Sequence, residues 1–248
     1  MAHFFVDPAA VCGNRVVLTG ENAHHAAYAL RLAVGDTVTV SDQRQMYVCV
    51  LRHFSEGEVA ADVREIRTVQ GEPPYRARLF QALPKGDKLD TVIQKAVECG
   101  VSEIIPFESS RCIMRSKPET EPRKTQRRVR IAEEAAKQCR RSVIPTVCPT
   151  VTDYATVLRQ AAFSDLTLFC YEGAGTRSLR AVLDSVELPK DRVLTVSIVV
   201  GSEGGFSPEE AQAAADTGLC LCGLGTRILR TETASGFVLG CLSYRFEL

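Results

Sequence analysis

Residues 193–200 read Val-Leu-Thr-Val-Ser-Ile-Val-Val, and the run ends on Gly201-Ser202-Glu203-Gly204-Gly205-Phe206-Ser207-Pro208-Glu209-Glu210. A β-branched run of this kind suits a strand buried on both faces of a parallel sheet. The next residues form a glycine-rich loop and then a helix start. Ser207 suits the N-cap, Pro208 the first helical position, and Glu210 completes a capping box. Parallel strands need crossover connections, usually helical, so this segment points the chain toward an α/β fold. It also suggests a ligand position, because open parallel sheets bind ligands beyond the carboxyl ends of their strands. Gly201, Gly204 and Gly205 permit positive φ and close backbone approach. The alternative is a tight strand-to-helix turn with no ligand.

The neighbouring segments agree. Residues 77–82 read as a strand and Leu83-Pro84-Lys85-Gly86 as a loop. Leu89, Val92, Ile93, Ala96 and Val97 then form one apolar helical stripe, which Gly100 ends. A strand at 103–107, a helix over about 124–139 and a strand at 166–170 follow. The alternation predicts a parallel sheet covered on both faces. The first ~70 residues differ. Short alternating runs at 37–40, 46–50 and 59–63 are split by turn residues and predict an antiparallel sheet or small β-barrel, with one helix near 23–32. Val69-Gln70-Gly71-Glu72-Pro73-Pro74 reads as a linker. The expected domains are therefore 1–70 and 71–248.

Composition narrows the class. The 30 basic and 30 acidic residues cancel, so any nucleic-acid surface has to come from local clustering. The start, Met1-Ala2-His3-Phe4-Phe5, lacks a signal-peptide pattern. No apolar run reaches the ~18 residues of a membrane span. The expectation is a cytoplasmic protein with its ten cysteines reduced and no membrane association. No Cys-x-x-Cys pair occurs, and Cys220 with Cys222 alone makes no zinc site, so no metal is expected.

The loop is neither a Walker A motif nor Gly-x-Gly-x-x-Gly. Gly173-Ala174-Gly175 and Gly223-Leu224-Gly225 begin the latter, but Ser178 and Ile228 occupy the third glycine position. Glu203 would repel a phosphate and suits a ligand with a cationic centre. A second segment, Leu224-Gly225-Thr226-Arg227-Ile228-Leu229-Arg230-Thr231-Glu232-Thr233-Ala234, follows a short strand at 219–224. Thr231 or Thr233 can cap the next helix. Arg230 stands at a helix start, where a cation adds no stability. A third segment is basic, with Arg123, Lys124, Arg127, Arg128, Arg130, Lys137, Arg140 and Arg141 in one helix and its flanks. Such a run is either a solvated face or a phosphate-contacting surface.

Together, Gly-Ser-Glu-Gly-Gly-Phe-Ser-Pro-Glu-Glu and Leu-Gly-Thr-Arg-Ile-Leu-Arg-Thr-Glu-Thr-Ala closely resemble the RsmE family of bacterial 16S ribosomal RNA uridine N3-methyltransferases, in the SPOUT superfamily. Residues 133–141 resemble the family's Glu-Ala-x-x-Gln-x-Gly-Arg signature, with Arg140 in place of its glycine. Phe80-Gln81-Ala82-Leu83-Pro84-Lys85-Gly86 resembles the first SPOUT strand and loop. His25 and Ala29-Leu30-Arg31 resemble an N-terminal His-x-x-x-Val-Leu-Arg pattern. Three further departures are visible. Ser202 replaces the common proline of the glycine loop, His3 a frequent arginine, and Asp42-Gln43-Arg44-Gln45 an Asp-Gly-x-Gly turn.

The resemblance implies a PUA-like RNA-binding β-barrel followed by a SPOUT domain with a deep trefoil knot and a parallel sheet. It implies S-adenosylmethionine (SAM) as cofactor, 16S ribosomal RNA or the assembled small subunit as partner, and a homodimer. Carried over, Gly201, Glu203, Gly204 and Gly205 form one cofactor wall. Leu224, Gly225, Leu229, Arg230, Thr231, Glu232 and Thr233 form the other, with Glu172 at the edge. Arg141, Arg230 and Glu232 are the candidate catalytic residues. Arg31, Lys85, Arg127, Arg128, Gln138, Arg140 and Arg141 are the candidate RNA contacts. Uracil N3 must lose a proton, so a base or an anion stabiliser is needed. Glu203 or Glu232 could accept that proton, and Arg141 or Arg230 could stabilise the anion. Competing readings are a SPOUT ribose methyltransferase on transfer RNA, a non-catalytic RNA-binding assembly factor that keeps the pocket, and a nucleotide-binding oxidoreductase.

Overall fold

The computed structural model describes residues 1–69, 71–117 and 119–248. The chain divides into two compact units. One comprises residues 1–72 and 136–144, the other 73–135 and 145–248.

The first unit is built on six strands: β1 (His3–Phe5), β2 (Val11–Cys12), β3 (Arg15–Thr19), β4 (Thr37–Ser41), β5 (Met46–Ser55) and β6 (Glu58–Arg67). Their order is β1-β4-β5-β6-β3-β2, antiparallel except for β1 beside β4. Of the two forms the alternating runs left open, the antiparallel sheet is the one found, and the closed barrel implied by the resemblance is corrected. Among the described residues the outer strands β1 and β2 do not pair, so the sheet has two edges. Alternation places Val38, Val40, Cys49, Leu51, Val59, Ala61 and Val63 in one core with Phe4, Val16 and Leu18. The expected helix at 23–32 starts earlier, as α1 (Gly20–His24), and continues through a π-helical turn at residues 25–29.

Residues 136–144 belong to this unit for a visible reason. The Ser41 hydroxyl donates to the Ser142 carbonyl at 2.6 Å, the Ile144 N–H to Gln43 Oε1, and the Val143 N–H to Glu72. The guanidinium of buried Arg141 pairs with the Glu72 carboxylate.

The second unit is an α/β fold with an all-parallel sheet. Its elements are β7 (Tyr75–Ala82), α2 (Lys88–Glu98), β8 (Val101–Glu108), α3 (Glu121–Cys139, whose last turn belongs to the first unit), β9 (Thr146–Val147), β10 (Thr152–Asp153), α4 (Tyr154–Ala161), β11 (Leu166–Cys170), β12 (Arg177–Ser178), α5 (Leu179–Asp184), β13 (Leu194–Val200), α6 (Pro208–Asp216), β14 (Leu221–Gly223) and α7 (Thr231–Phe246). The order is β10-β8-β7-β13-β11-β14-β12, with β9 also on β8. The β-branched run is central, as its sequence requires. Every residue of β13 except Thr195 is buried.

Register sets the site. Val200 pairs with Gln81, Val199 with Phe169, and Cys170 with Cys222. The carboxyl ends of β7, β13, β11 and β14 thus lie together, and their loops leave the sheet side by side.

Candidate cofactor site at the carboxyl ends of the strands

The glycine loop takes its shape from hydrogen bonding. Gly205 N–H donates to the Ser202 carbonyl at 3.0 Å, closing a turn in which Gly205 has φ +62°. Gly201 and Gly205 pack so closely that a Cβ on Gly201 would meet the Gly205 backbone at 3.1 Å. Gly204 faces elsewhere. A Cβ there would meet Arg111, whose guanidinium donates to the Gly204 carbonyl at 3.0 Å. At α6 the full capping box forms: Ser207 Oγ accepts from Glu210 N–H and the Glu210 carboxylate from Ser207 N–H. The same buried carboxylate accepts from Ser110 N–H at 2.7 Å, which ties the loop after β8 to the glycine loop.

The second wall is held differently from expectation. Neither Thr231 nor Thr233 caps α7. Arg230 is the N-cap and makes no side-chain cap bond. The buried Thr231 hydroxyl points into the sheet end and donates to the Gly201 carbonyl at 2.6 Å. A buried carbonyl left by the strand end needs a donor, and this one outcompetes local capping. Gln81, wholly buried at the end of β7, adds its amide to Thr231 Oγ1 at 2.9 Å. The two motifs are thereby joined directly, and Gln81, outside both, braces the joint.

Between the walls lies a cavity of about 260 Å³. Of the expected cofactor residues, Glu172, Gly201, Gly205, Leu224, Gly225, Leu229 and Thr231 line it. Glu203, Gly204, Arg230, Glu232 and Thr233 do not. Cys170, Tyr171, Thr176 and Phe206 line it as well; Phe206 belongs to the glycine-rich motif and Cys170 ends the expected strand, but none of the four was among the expected cofactor residues. Phe206 is buried and its ring lies 4.3 Å from that of Phe169, the two planes tilted by 35°, which gives the cavity an apolar side. Burial pushes the Cys170 thiol well up and that of Cys222 to about 12, so both stay protonated at neutral pH and neither is a nucleophile.

Beyond the cavity, Glu203 and Glu232 meet at the ammonium of Lys88, 2.9 Å from Glu203 Oε1 and 3.7 Å from Glu232 Oε2. Burial tends to raise the Glu203 carboxyl. The Lys88 ammonium and the backbone N–H groups of Glu203 and Lys85 outweigh it and hold the group below the ordinary glutamate range. Lys88 was missed in the sequence.

The candidate RNA contacts scatter. Lys85, Arg127, Gln138, Arg140 and Arg31 are exposed. Arg127 pairs with Asp90 at 2.6 Å, and Arg128 is buried against Glu121. Arg141 lies in the first unit, paired with Glu72.

The cavity fits SAM. Gly205 and Gly225 have positive φ, and a Cβ at Gly225 would meet nothing within 4 Å, so bare backbone faces open space there. Phe206 offers an adenine ring an apolar contact. Glu172 is acidic and Arg227 the single basic residue of the lining, an arrangement suited to a sulfonium with an amino-acid tail and unsuited to a polyphosphate.

The family model described as the RNA methyltransferase domain matches residues 71–243. The ribosomal RNA small subunit methyltransferase E of Bacillus subtilis is 33% identical, covering 93% of this chain and 90% of its own. The chain belongs to the ribosomal RNA small subunit methyltransferase E family. A Mycobacterium tuberculosis member is 28% identical over 96% of this chain and 90% of its own. The crystal structure of the Neisseria gonorrhoeae member, bound to S-adenosyl methionine, superposes with a TM-score of 0.85. It is 26% identical and covers 98% of this chain and 97% of that one. The family thus spans both units described above. Among the described residues no helix is long and apolar enough to cross a membrane, and no group of His, Cys, Asp or Glu could hold a metal.

Proposed function

We propose that this protein is a SAM-dependent methyltransferase that methylates N3 of a specific uridine in 16S ribosomal RNA, as naked RNA or in the small subunit. The cavity carries the reading: a glycine-backed pocket with an apolar side at Phe206, at the carboxyl ends of β13, β11 and β14, in a chain of this family. Glu172, Gly201, Gly205, Leu224, Gly225, Leu229 and Thr231 are its proposed cofactor residues, Gly204 shapes the loop behind them, and Glu203, Arg230, Glu232 and Thr233 act from outside the cavity without holding the cofactor.

When bound, SAM supplies an activated methyl group. The protein's task is then alignment and proton removal. The backbone at Gly201, Gly205, Leu224 and Gly225 positions the donor, and Phe206 excludes water beneath it. Arg230, exposed at the α7 cap, faces a developing negative charge on the base. The buried thiols offer no covalent route, which favours direct attack by a ring nitrogen.

The remaining features follow from the family reading. The six-stranded unit is a PUA-like RNA-binding module with open edges, and residues 71–248 form the SPOUT domain. A trefoil knot around 201–234 is consistent with the chain path: after β14, beyond β11, the chain returns as α7 against α2, β7 and β13. A homodimer is supported by the outer face of α7, where Thr233, Phe237, Gly240 and Tyr244 make an exposed stripe at helical spacing, Tyr244 being 79% exposed. Arg31, Lys85, Arg127, Gln138 and Arg140 are exposed for RNA. Arg128 and Arg141 would act by shaping that surface, and Arg141 would first have to exchange Glu72 for an anionic base. A cytoplasmic location suits a ribosomal substrate.

The test is incubation with methyl-labelled SAM and either naked 16S RNA or undermethylated small subunits, followed by mapping of the label. Label on N3 of one uridine is expected. Label on a ribose oxygen, or none while SAM still binds, would refute the assignment.

A further inference from the structure

Glu203 and Glu232, one from each cofactor wall, share a single ammonium, and they share it unequally. Glu203 takes the Lys88 hydrogen bond at 2.9 Å and accepts the Lys85 backbone N–H with both oxygens, at 3.1 and 3.3 Å. A carboxylate surrounded by donors is a weak proton acceptor, and Glu203 is held below its ordinary range for that reason. Glu232 is the opposite case. Its Oε2 is buried, lies 3.7 Å from Lys88 Nζ and accepts no hydrogen bond. A buried oxygen without a donor is destabilised until one arrives. Lys88 itself occupies the first turn of α2, where a cation opposes the helix dipole, so helix stability does not account for it.

Building on the methyltransferase reading, we propose that Glu232 takes the proton from uracil N3, and that Lys88 is a positioning residue that fixes Glu203 as a strut and keeps Glu232 oriented. The imide N–H proton passes to Glu232 Oε2. The freed N3 electron pair forms the new N–C bond to the methyl group. The carbon–sulfur bond breaks with its electrons left on sulfur, which discharges the positive charge there. Three charged groups act on the Lys88 ammonium: Glu203 from the glycine loop, and Arg230 and Glu232 from the start of α7. Because the ammonium is committed to Glu203, the Glu232 Oε2 is left without a donor. The ammonium, 3.7 Å away, faces the Glu232 carboxylate without donating to it.

The experiment uses full-length Glu232→Gln and Lys88→Gln with small subunits reconstituted from uridine or 5-fluorouridine RNA. Fluorine makes N3 more acidic and relieves the need for a base. Glu232→Gln should keep SAM affinity within about threefold by calorimetry and lose about 10²–10⁴ in kcat on uridine. It should lose clearly less on 5-fluorouridine. Lys88→Gln should keep SAM affinity and move the acidic limb of the kcat profile up by about one pH unit, with Lys88→Arg restoring it. Equal losses of Glu232→Gln on both RNAs would overturn the proton-acceptor role. Weakened SAM affinity with unchanged kcat at saturation would make Glu232 a cofactor ligand and overturn it too. An unmoved limb in Lys88→Gln would overturn the positioning role. A wild-type enzyme that places no label on N3 would remove the reading beneath the proposal, and that control is independent of the variants.

Discussion

Arg140 has φ +60° and Gln43 φ +67°, and each stands where the family pattern carries glycine. The backbone has kept the left-handed shape and lost the residue that adopts it without strain. Arg140 follows the last turn of α3, its N–H on the Lys137 carbonyl. Its side chain is exposed, so Arg140→Gly should raise stability by about 1 kcal/mol, roughly 2–4 °C in Tm by calorimetry. RNA affinity should fall in the same variant if the guanidinium meets phosphate. His3 gives a pH prediction. Burial, helped by the charges of Lys137 and Arg140, lowers its pKa from 6.5 to about 4. Between those values the unfolded chain takes up a proton that the folded chain refuses, so stability falls as pH falls through the window. Urea midpoints should show wild type losing ground to His3→Gln from pH 7 to pH 4.5. Parallel curves would refute this. At this scale Gly201 and Gly205 were legible because strand ends and glycines mark a loop, whereas Glu172 and Thr231 came only with the family resemblance. Lys88 and Gln81 were not. A lysine in a first turn and a glutamine in a strand look ordinary until the fold brings in residues more than a hundred positions away.

Elements were legible where burial and local propensity agree. The β-branched β13, the amphipathic α2 and the capped α6 lie where the pattern puts them. The two-residue strands β9, β10 and β12 were not, because a pair of residues becomes a strand only through its partner. The N-terminus of α7 was misjudged for a related reason, its threonine being drawn to a distant carbonyl. The outer face of α7 yields a prediction at this scale. Phe237 is 40% exposed, so Phe237→Glu should leave the fold intact. Light scattering after gel filtration should show a dimer for wild type and a monomer for the variant. A dimer that persists would place the interface elsewhere.

The alternation of strands and helices announces a parallel sheet, but says nothing of strand order. That β13 lies between β7 and β11 follows from long-range packing, and the cavity depends on it. The closed barrel expected in the first unit failed similarly. Alternation fixes which face is buried, while closure depends on whether β1 and β2 meet.

The stitch among Gln81, Thr231 and Gly201 has a consequence in time. Its amide and hydroxyl stand 150 positions apart in the chain. Contacts of such separation form late, because the loop between them has to be closed first. A nascent chain growing at about 5–20 residues per second completes β7 many seconds before Thr231 exists. Cofactor capture therefore comes at the end of maturation, and a half-made enzyme cannot sequester SAM. In stopped-flow refolding the binding signal should trail the far-ultraviolet circular dichroism. Simultaneous recovery would mean that the pocket assembles without its second wall.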